Sequence, residues 1–164
     1  MQFTLIDRIV ELQEGASITA VKTLSLAEEY LQDHFPRFPC MPGVLMLESM
    51  CQAGAWLVRK SEDFSHSIIV LKEARNVKYA DFVEPGQMLT VTVEIVKQDE
   101  QLTWLKANGT VQGSVAVSAR LILERFNGAD RPGLGGGNDD YTRRKLREEF
   151  DVLYRPTESL EAVG

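Results

Sequence analysis

The sequence predicts an α+β fold, in which one buried helix lies against one curved antiparallel sheet. Three observations predict it. Residues 3–13 and 16–25 alternate apolar and polar side chains on either side of Glu14-Gly15. A stretch from about 42 to 60 is apolar nearly all round, which marks a helix covered on most sides. Four strand-like segments follow, at about 68–80, 88–98, 102–111 and 114–126.

The elements follow in order. The first two strands form a hairpin or successive pair around Glu14-Gly15. "LAEEYLQ" is short and has helix-forming composition. Residues 34–42 are irregular, because Pro36, Pro39 and Pro42 remove backbone donors and restrict their neighbours. Pro42 suits the first turn of the long helix, and Arg59 and Lys60 suit the negative end of its dipole. "EPG" at 84–86, "KQDEQ" at 97–101 and Gln112-Gly113 separate the last four strands. Asn108-Gly109 is a competing hairpin signal. The Gln112-Gly113 turn gives two strands of similar length, which leaves Gly109 as a bulge.

Residues 1–126 thus make one domain. A Gly-rich linker at 127–140 leads to an amphipathic helix at 141–156, with Leu146, Phe150 and Leu153 at helical spacing, and a tail at 157–164. The chain has 164 residues, 44% hydrophobic and 26% charged, which is enough for a core. A net charge of -6 argues against nucleic-acid binding. No apolar run reaches the roughly 20 residues of a membrane span. "MQFTLIDRIVEL" carries acids and lacks the basic start of a signal peptide, so the expected location is cytoplasmic. Cys40 and Cys51 read as reduced core thiols.

Several candidate sites are weak. "GLGGG" lies between a strand and a helix, yet Asp139 and Asp140 would repel phosphate and no lysine stands at P-loop spacing. His34 and His66 have no ligand spacing to Cys40 or Cys51, so no metal site is expected. The basic cluster Arg143–Arg147 is balanced by Glu148, Glu149 and Asp151, as on a solvated helix face.

"HFPRFPCMPGVLMLESMCQ", His34 to Gln52, is different. Glu48 stands among Val44, Leu45, Met46, Leu47, Met50 and Cys51, so it is expected to be buried and satisfied by a hydrogen bond or a proton. Gln52, at i+4, shares its face and can orient it. By itself this fits a core glutamate bonded to backbone or water. His34 changes the balance, because the proline-rich loop fixes its approach. The first N–H groups of the helix lack internal partners and carry the positive end of its dipole, with Gly43 leaving them accessible. A base, an oxyanion cradle and a carboxyl group together suit proton removal beside a carbonyl and expulsion of a leaving group.

The pattern "HFP…P…PGVLxxExxxQ", with His34 and Glu48 fourteen positions apart, resembles the signature of the 3-hydroxyacyl-acyl-carrier-protein dehydratases of fatty-acid synthesis. "LIDRIVEL" and "EPGQMLTVTVEI" are similar to family segments too, and the resemblance covers roughly residues 3–126. It implies the hotdog fold, a sheet wrapped around one central helix. It implies that His34 takes the α-proton and that Glu48 acts on the departing hydroxyl. Gly43 and Val44 would hold the thioester oxygen through their amides, and Gln52 would orient Glu48. It further implies an apolar tunnel beside the helix, no cofactor and no metal. The partners implied are acyl carrier protein and a second copy of the chain, with a trimer of dimers as the larger assembly; His34 and Glu48 of one site would come from different subunits. An acidic carrier needs a local basic patch on an acidic chain. Arg37, Arg59, Lys60, Arg75, Lys78 and the 143–147 cluster are its candidates.

Two rivals remain at this point. A hotdog thioesterase uses a helical carboxylate without requiring the "HFP" histidine. A non-catalytic acyl-binding subunit would retain the fold, and the presence of both His34 and Glu48 argues against it.

Overall fold

The computed structural model describes residues 4–33, 35–131, 133 and 138–154. Strands β1 (Arg8–Gln13) and β2 (Ser17–Thr23) precede the short helix α1 (Tyr30–Asp33) and the long helix α2 (Gly43–Ser61). Strands β3 (Ile68–Tyr79), β4 (Met88–Gln98), β5 (Leu102–Val111) and β6 (Ser114–Phe126) follow, and helix α3 (Asp139–Leu153) comes last. The six strands form one antiparallel sheet in the order β1-β2-β4-β5-β6-β3.

The sheet's turns follow local chemistry. Gly15 takes φ 75° in the β1–β2 turn, and Gln112 and Gly113 take φ 51° and 82° between β5 and β6. Two successive positive φ values give the twist that a tight hairpin needs. Asn108 and Gly109 lie inside β5, where the register shifts between Gly109 and Thr110. The bulge therefore stands where the sequence suggested it. In the β4–β5 turn, the Asp99 carboxylate accepts from the amides of Gln101 and Leu102 at 2.8 and 2.7 Å. These bonds hold its pKa below the usual value.

Helix α2 begins one residue later than expected. Pro42 has φ -55° and ψ 138°, so it caps the helix from outside its first turn. Met50, Ala53, Gly54, Leu57 and Val58 form the sheet-facing stripe, and all are buried. A Cβ on Gly54 would stand 2.8 Å from Leu105 Cδ1, so glycine lets the helix settle close to the sheet. At the helix end, Arg125 from β6 is buried, with Nη1 donating to Thr103 Oγ1 at 2.6 Å and Nε lying 3.3 Å from Glu62 Oε2.

Helix α3 lies over the other side of α2. Phe150 is 3% exposed and packs against Trp56, Phe64 and Tyr154, with ring centroids 6.2, 5.9 and 5.4 Å away. Leu146 and Leu153 join the same core. The N-terminus of α3 is pinned by Asp139, whose carboxylate accepts from Ser67 Oγ, Gly128 N and Ala129 N. These bonds hold its pKa below the usual aspartate value. Arg147 donates to the carboxylate and the carbonyl of Asp63, at 2.9 and 2.8 Å. The basic helix face is thus partly spent on docking. The predicted tail, residues 155–156 of the predicted helix, and residues 132 and 134–137 of the predicted linker lie outside the described residues.

Candidate active site

Glu48 and Gln52 stand one turn apart on α2 and line one cavity of about 730 Å³. The cavity runs between α2, β3 and α3. Its walls include Trp56, Ile69, Leu71, Leu123, Leu146 and Leu153. Gln52 Nε2 donates to Glu48 Oε1 at 3.3 Å. Gln52 Oε1 accepts from the amide of Leu5 at 2.8 Å. That second bond corrects the first predicted strand, which was drawn from residue 3: the Leu5 amide is used by the site, and β1 begins at Arg8.

The expected burial of Glu48 does not hold in the single chain, where it is exposed. Val44, one turn earlier, is 68% exposed. The cause is geometric. The sheet covers the stripe from Met50 to Val58, whereas the 44/48 face looks away from it. An apolar composition on every side of a helix does not say which sides its own chain will cover.

Gly43 and Val44 are the first two residues of α2, so their amides have no carbonyl of their own helix to bond. The first helical bonds run from Leu45 N and Met46 N to Pro42 O, at 2.9 and 3.2 Å. A Cβ on Gly43 would lie 2.9 Å from Tyr79 Cε1. Glycine here admits the Tyr79 ring from β3 against the helix start, a neighbour that nothing in the motif announces.

His34 lies outside the described residues, so its assignment rests on the motif. The elements on both sides of it are anchored. Leu31 of α1 is buried. Glu28 accepts from the buried Lys22 ammonium and from the Tyr30 hydroxyl. After it, Phe35 takes φ 48°, Met41 N donates to Val83 O at 2.8 Å, and Phe38 stacks edge-on against Phe82 at 5.4 Å. Prolines and aromatics thus give this irregular segment a defined course.

Of two other cavity residues, Cys51 is the reduced core thiol the sequence suggests, and Arg59 does more than the sequence suggests. Cys51 is buried and beside Glu48, and burial first, then the glutamate, pushes its thiol up to about 12. It is therefore no nucleophile at neutral pH. Arg59 was assigned to the helix dipole and to carrier docking. It does stand in the last turn of α2, and it also stacks over the Trp56 ring at 4.9 Å and lines the cavity. Its Nε is buried with no hydrogen-bond partner among the described residues. Burial lowers its pKa to about 10, opposed by Glu149 and Glu62, so it keeps its charge at neutral pH. The i, i+4, i+8, i+11 spacing of Glu48, Gln52, Trp56 and Arg59 was the available signal. No group of metal-ligating side chains occurs among the described residues. No helix among them is long and apolar enough to cross a membrane.

The fold occurs in several solved structures. The dehydratase heterocomplex ApeI:P from Xenorhabdus doucetiae superposes with a TM-score of 0.63 at 21% identity, covering 76% of this chain and 84% of that one. A hypothetical thioesterase from Streptococcus pneumoniae, solved with coenzyme A, superposes at 0.54 with 16% identity over 72% of this chain and 84% of that one. At those identities the likeness establishes the hotdog fold alone. Sequence is more specific. Residues 1–120 match the model of the FabA-like domain. The 3-hydroxyacyl-[acyl-carrier-protein] dehydratase FabZ of Levilactobacillus brevis is 41% identical over 117 residues, 71% of this chain and 79% of the relative. The enzyme of the same name from Oceanobacillus iheyensis is 39% identical over 121 residues, 74% and 86% of the two chains. With the motif, the fold and these relatives in agreement, the chain belongs to the FabA-like family, among its 3-hydroxyacyl-[acyl-carrier-protein] dehydratases.

Proposed function

We propose that this chain converts 3-hydroxyacyl-acyl carrier protein to the trans-2-enoyl product in fatty-acid synthesis, using His34 and Glu48. The observation that carries the site is the Leu5–Gln52–Glu48 chain of hydrogen bonds at the mouth of an apolar cavity. His34 removes the α-proton. The Gly43 and Val44 amides take the negative charge that develops on the thioester oxygen, a contribution worth about 10²–10³ in rate for one such donor. The β-hydroxyl then leaves with a proton supplied through Glu48, directly or by a bound water. The products are an enoyl thioester and one water, so atoms and charge balance without a redox partner.

We further propose a homodimer in which His34 of one subunit faces Glu48 of the other. Strand β3 lies at the sheet's edge and exposes Val70, Leu71 and Tyr79, and α2 exposes Val44, next to the Gly43 on which Tyr79 packs. Exposed apolar side chains on an unpaired edge support an interface. Such an interface would also cover the 44/48 face that the single chain leaves open. For carrier docking, Lys78 is the stronger candidate on β3. It adjoins Tyr79, which packs on Gly43, whereas the fork of Arg75 is taken by Glu73 at 2.7 and 2.9 Å.

The test is incubation of the purified full chain with a carrier-linked 3-hydroxyacyl substrate. Enoyl formation without release of free thiol is expected. Thiol release without an enoyl product would instead establish the thioesterase alternative.

A further inference from the structure

The cavity continues well beyond Glu48. Along α2 it follows Glu48, Gln52, Ala55, Trp56 and Arg59, which share one face of the helix. Glu48 and Arg59 are eleven residues apart, about 16 Å along the axis. The opposite wall comes from α3, through Leu146, Glu149, Val152 and Leu153. That helix lies outside residues 1–120, where the family model matches. One side of the cavity is therefore built from a segment that the matched domain does not contain.

The chemistry changes along its length. Between Gln52 and Arg59 the lining is apolar, with Ala55, Trp56, Leu123 and Leu153. At Arg59 it becomes ionic: a guanidinium whose buried Nε has no hydrogen-bond partner among the described residues, with Glu149 also in the lining. A methylene in the apolar stretch gains by leaving water. A methylene pressed against the guanidinium removes its access to water and returns no hydrogen bond.

We propose that α3 makes this cavity a length-limited acyl pocket, in which the chain lies between α2 and α3 and ends at Arg59. The proposal rests on the dehydratase reading for the identity of the occupant, the acyl chain of a thioester substrate. Glu48 holds the reacting end, Leu146, Val152 and Leu153 clad the chain, and Arg59, with Glu149 on the facing wall, sets the limit. The selecting wall and the reacting group are thus supplied by different segments of the chain.

The experiment measures binding of non-reacting saturated acyl-pantetheine amides of graded even length to the full chain by calorimetry. Affinity is expected to rise about fourfold for each added methylene, then to stop rising once the chain reaches Arg59. Arg59→Met is expected to move that break to longer chains. Val152→Trp, at an exposed position of α3 that lines the cavity, is expected to move it to shorter ones. An affinity that climbs through the whole series without a break overturns the proposal, as does a break that both folded variants leave unmoved. If Arg59→Met fails to fold, the wild-type break and Val152→Trp decide alone. Enoyl formation is scored separately on a short 3-hydroxyacyl carrier substrate. Its absence, with the length break intact, overturns the dehydratase reading and upholds the pocket.

Discussion

The smallest unit that explains the site is Gln52. A side-chain amide has one acceptor end and one donor end, and the Leu5 amide occupies the acceptor. The donor end is thereby turned toward Glu48, which engages one carboxylate oxygen and leaves the other for the proposed role toward substrate. A single residue before β1 thus sets the orientation of a group on α2. Glu48→Gln preserves shape and hydrogen bonding but carries no acidic proton. Its turnover should fall by about 10²–10⁴, and His34→Ala should fall comparably. Since Glu48 is exposed, Glu48→Gln should alter stability by no more than about 0.5 kcal/mol. Enoyl formation and thermal melting, measured on the same samples, check both halves. Near-normal turnover in either variant would remove that residue from the mechanism.

Among the elements, α3 is the one whose role the pattern concealed. The last four strands are legible almost to the residue, because alternation, turn chemistry and one glycine bulge all act locally, whereas β1 begins five residues later than the alternation suggests. Leu146, Phe150 and Leu153 showed that the last helix has an apolar face, but not what that face would meet. Its seat against Trp56 and Phe64 is a long-range contact, invisible to any local period. The exposure of Glu48 was hidden for the same reason. The hydrogen bonds at Asp139 make the docking of α3 sensitive to acid. Its folded-state pKa is depressed, so its contribution is present above the ordinary aspartate value of 3.8 and is lost as pH falls through the lower folded value. Asp139→Asn should therefore speed hydrogen exchange across 139–153 at neutral pH, while leaving β4 and β5 protected. The difference from the unaltered protein should shrink as pH drops below 3.8. Equal exchange at neutral pH would show that the aromatic seam and the Arg147–Asp63 bonds hold the helix without Asp139.

At the scale of the whole molecule, the proposed sharing of each site between two subunits has a direct test. Glu48→Gln and His34→Ala, each nearly inactive alone, are mixed under conditions that exchange subunits. One site of each mixed dimer then carries both lesions and the other carries neither, so activity should recover in part. No recovery despite confirmed exchange would place each site within one chain. The short bridge between Ile9 of β1 and Tyr154, just past α3, bears on the kind of assembly this chain can make. A sheet with two open edges can add copies head to tail without limit, as fibres do. Here both edge strands carry register shifts, but the β1 edge is met by Tyr154, whereas among the described residues β3 pairs only with β6. Pairing through β3 alone is self-complementary and closes on a two-fold axis after two copies. Tyr154→Pro removes the amide that donates to Phe150 O at 2.8 Å and should loosen that cover. Light scattering at rising concentration should then reveal open-ended growth in the variant and a plateau in the unaltered protein. The extra helix, besides walling a pocket, would by this logic act as a chain terminator for the sheet.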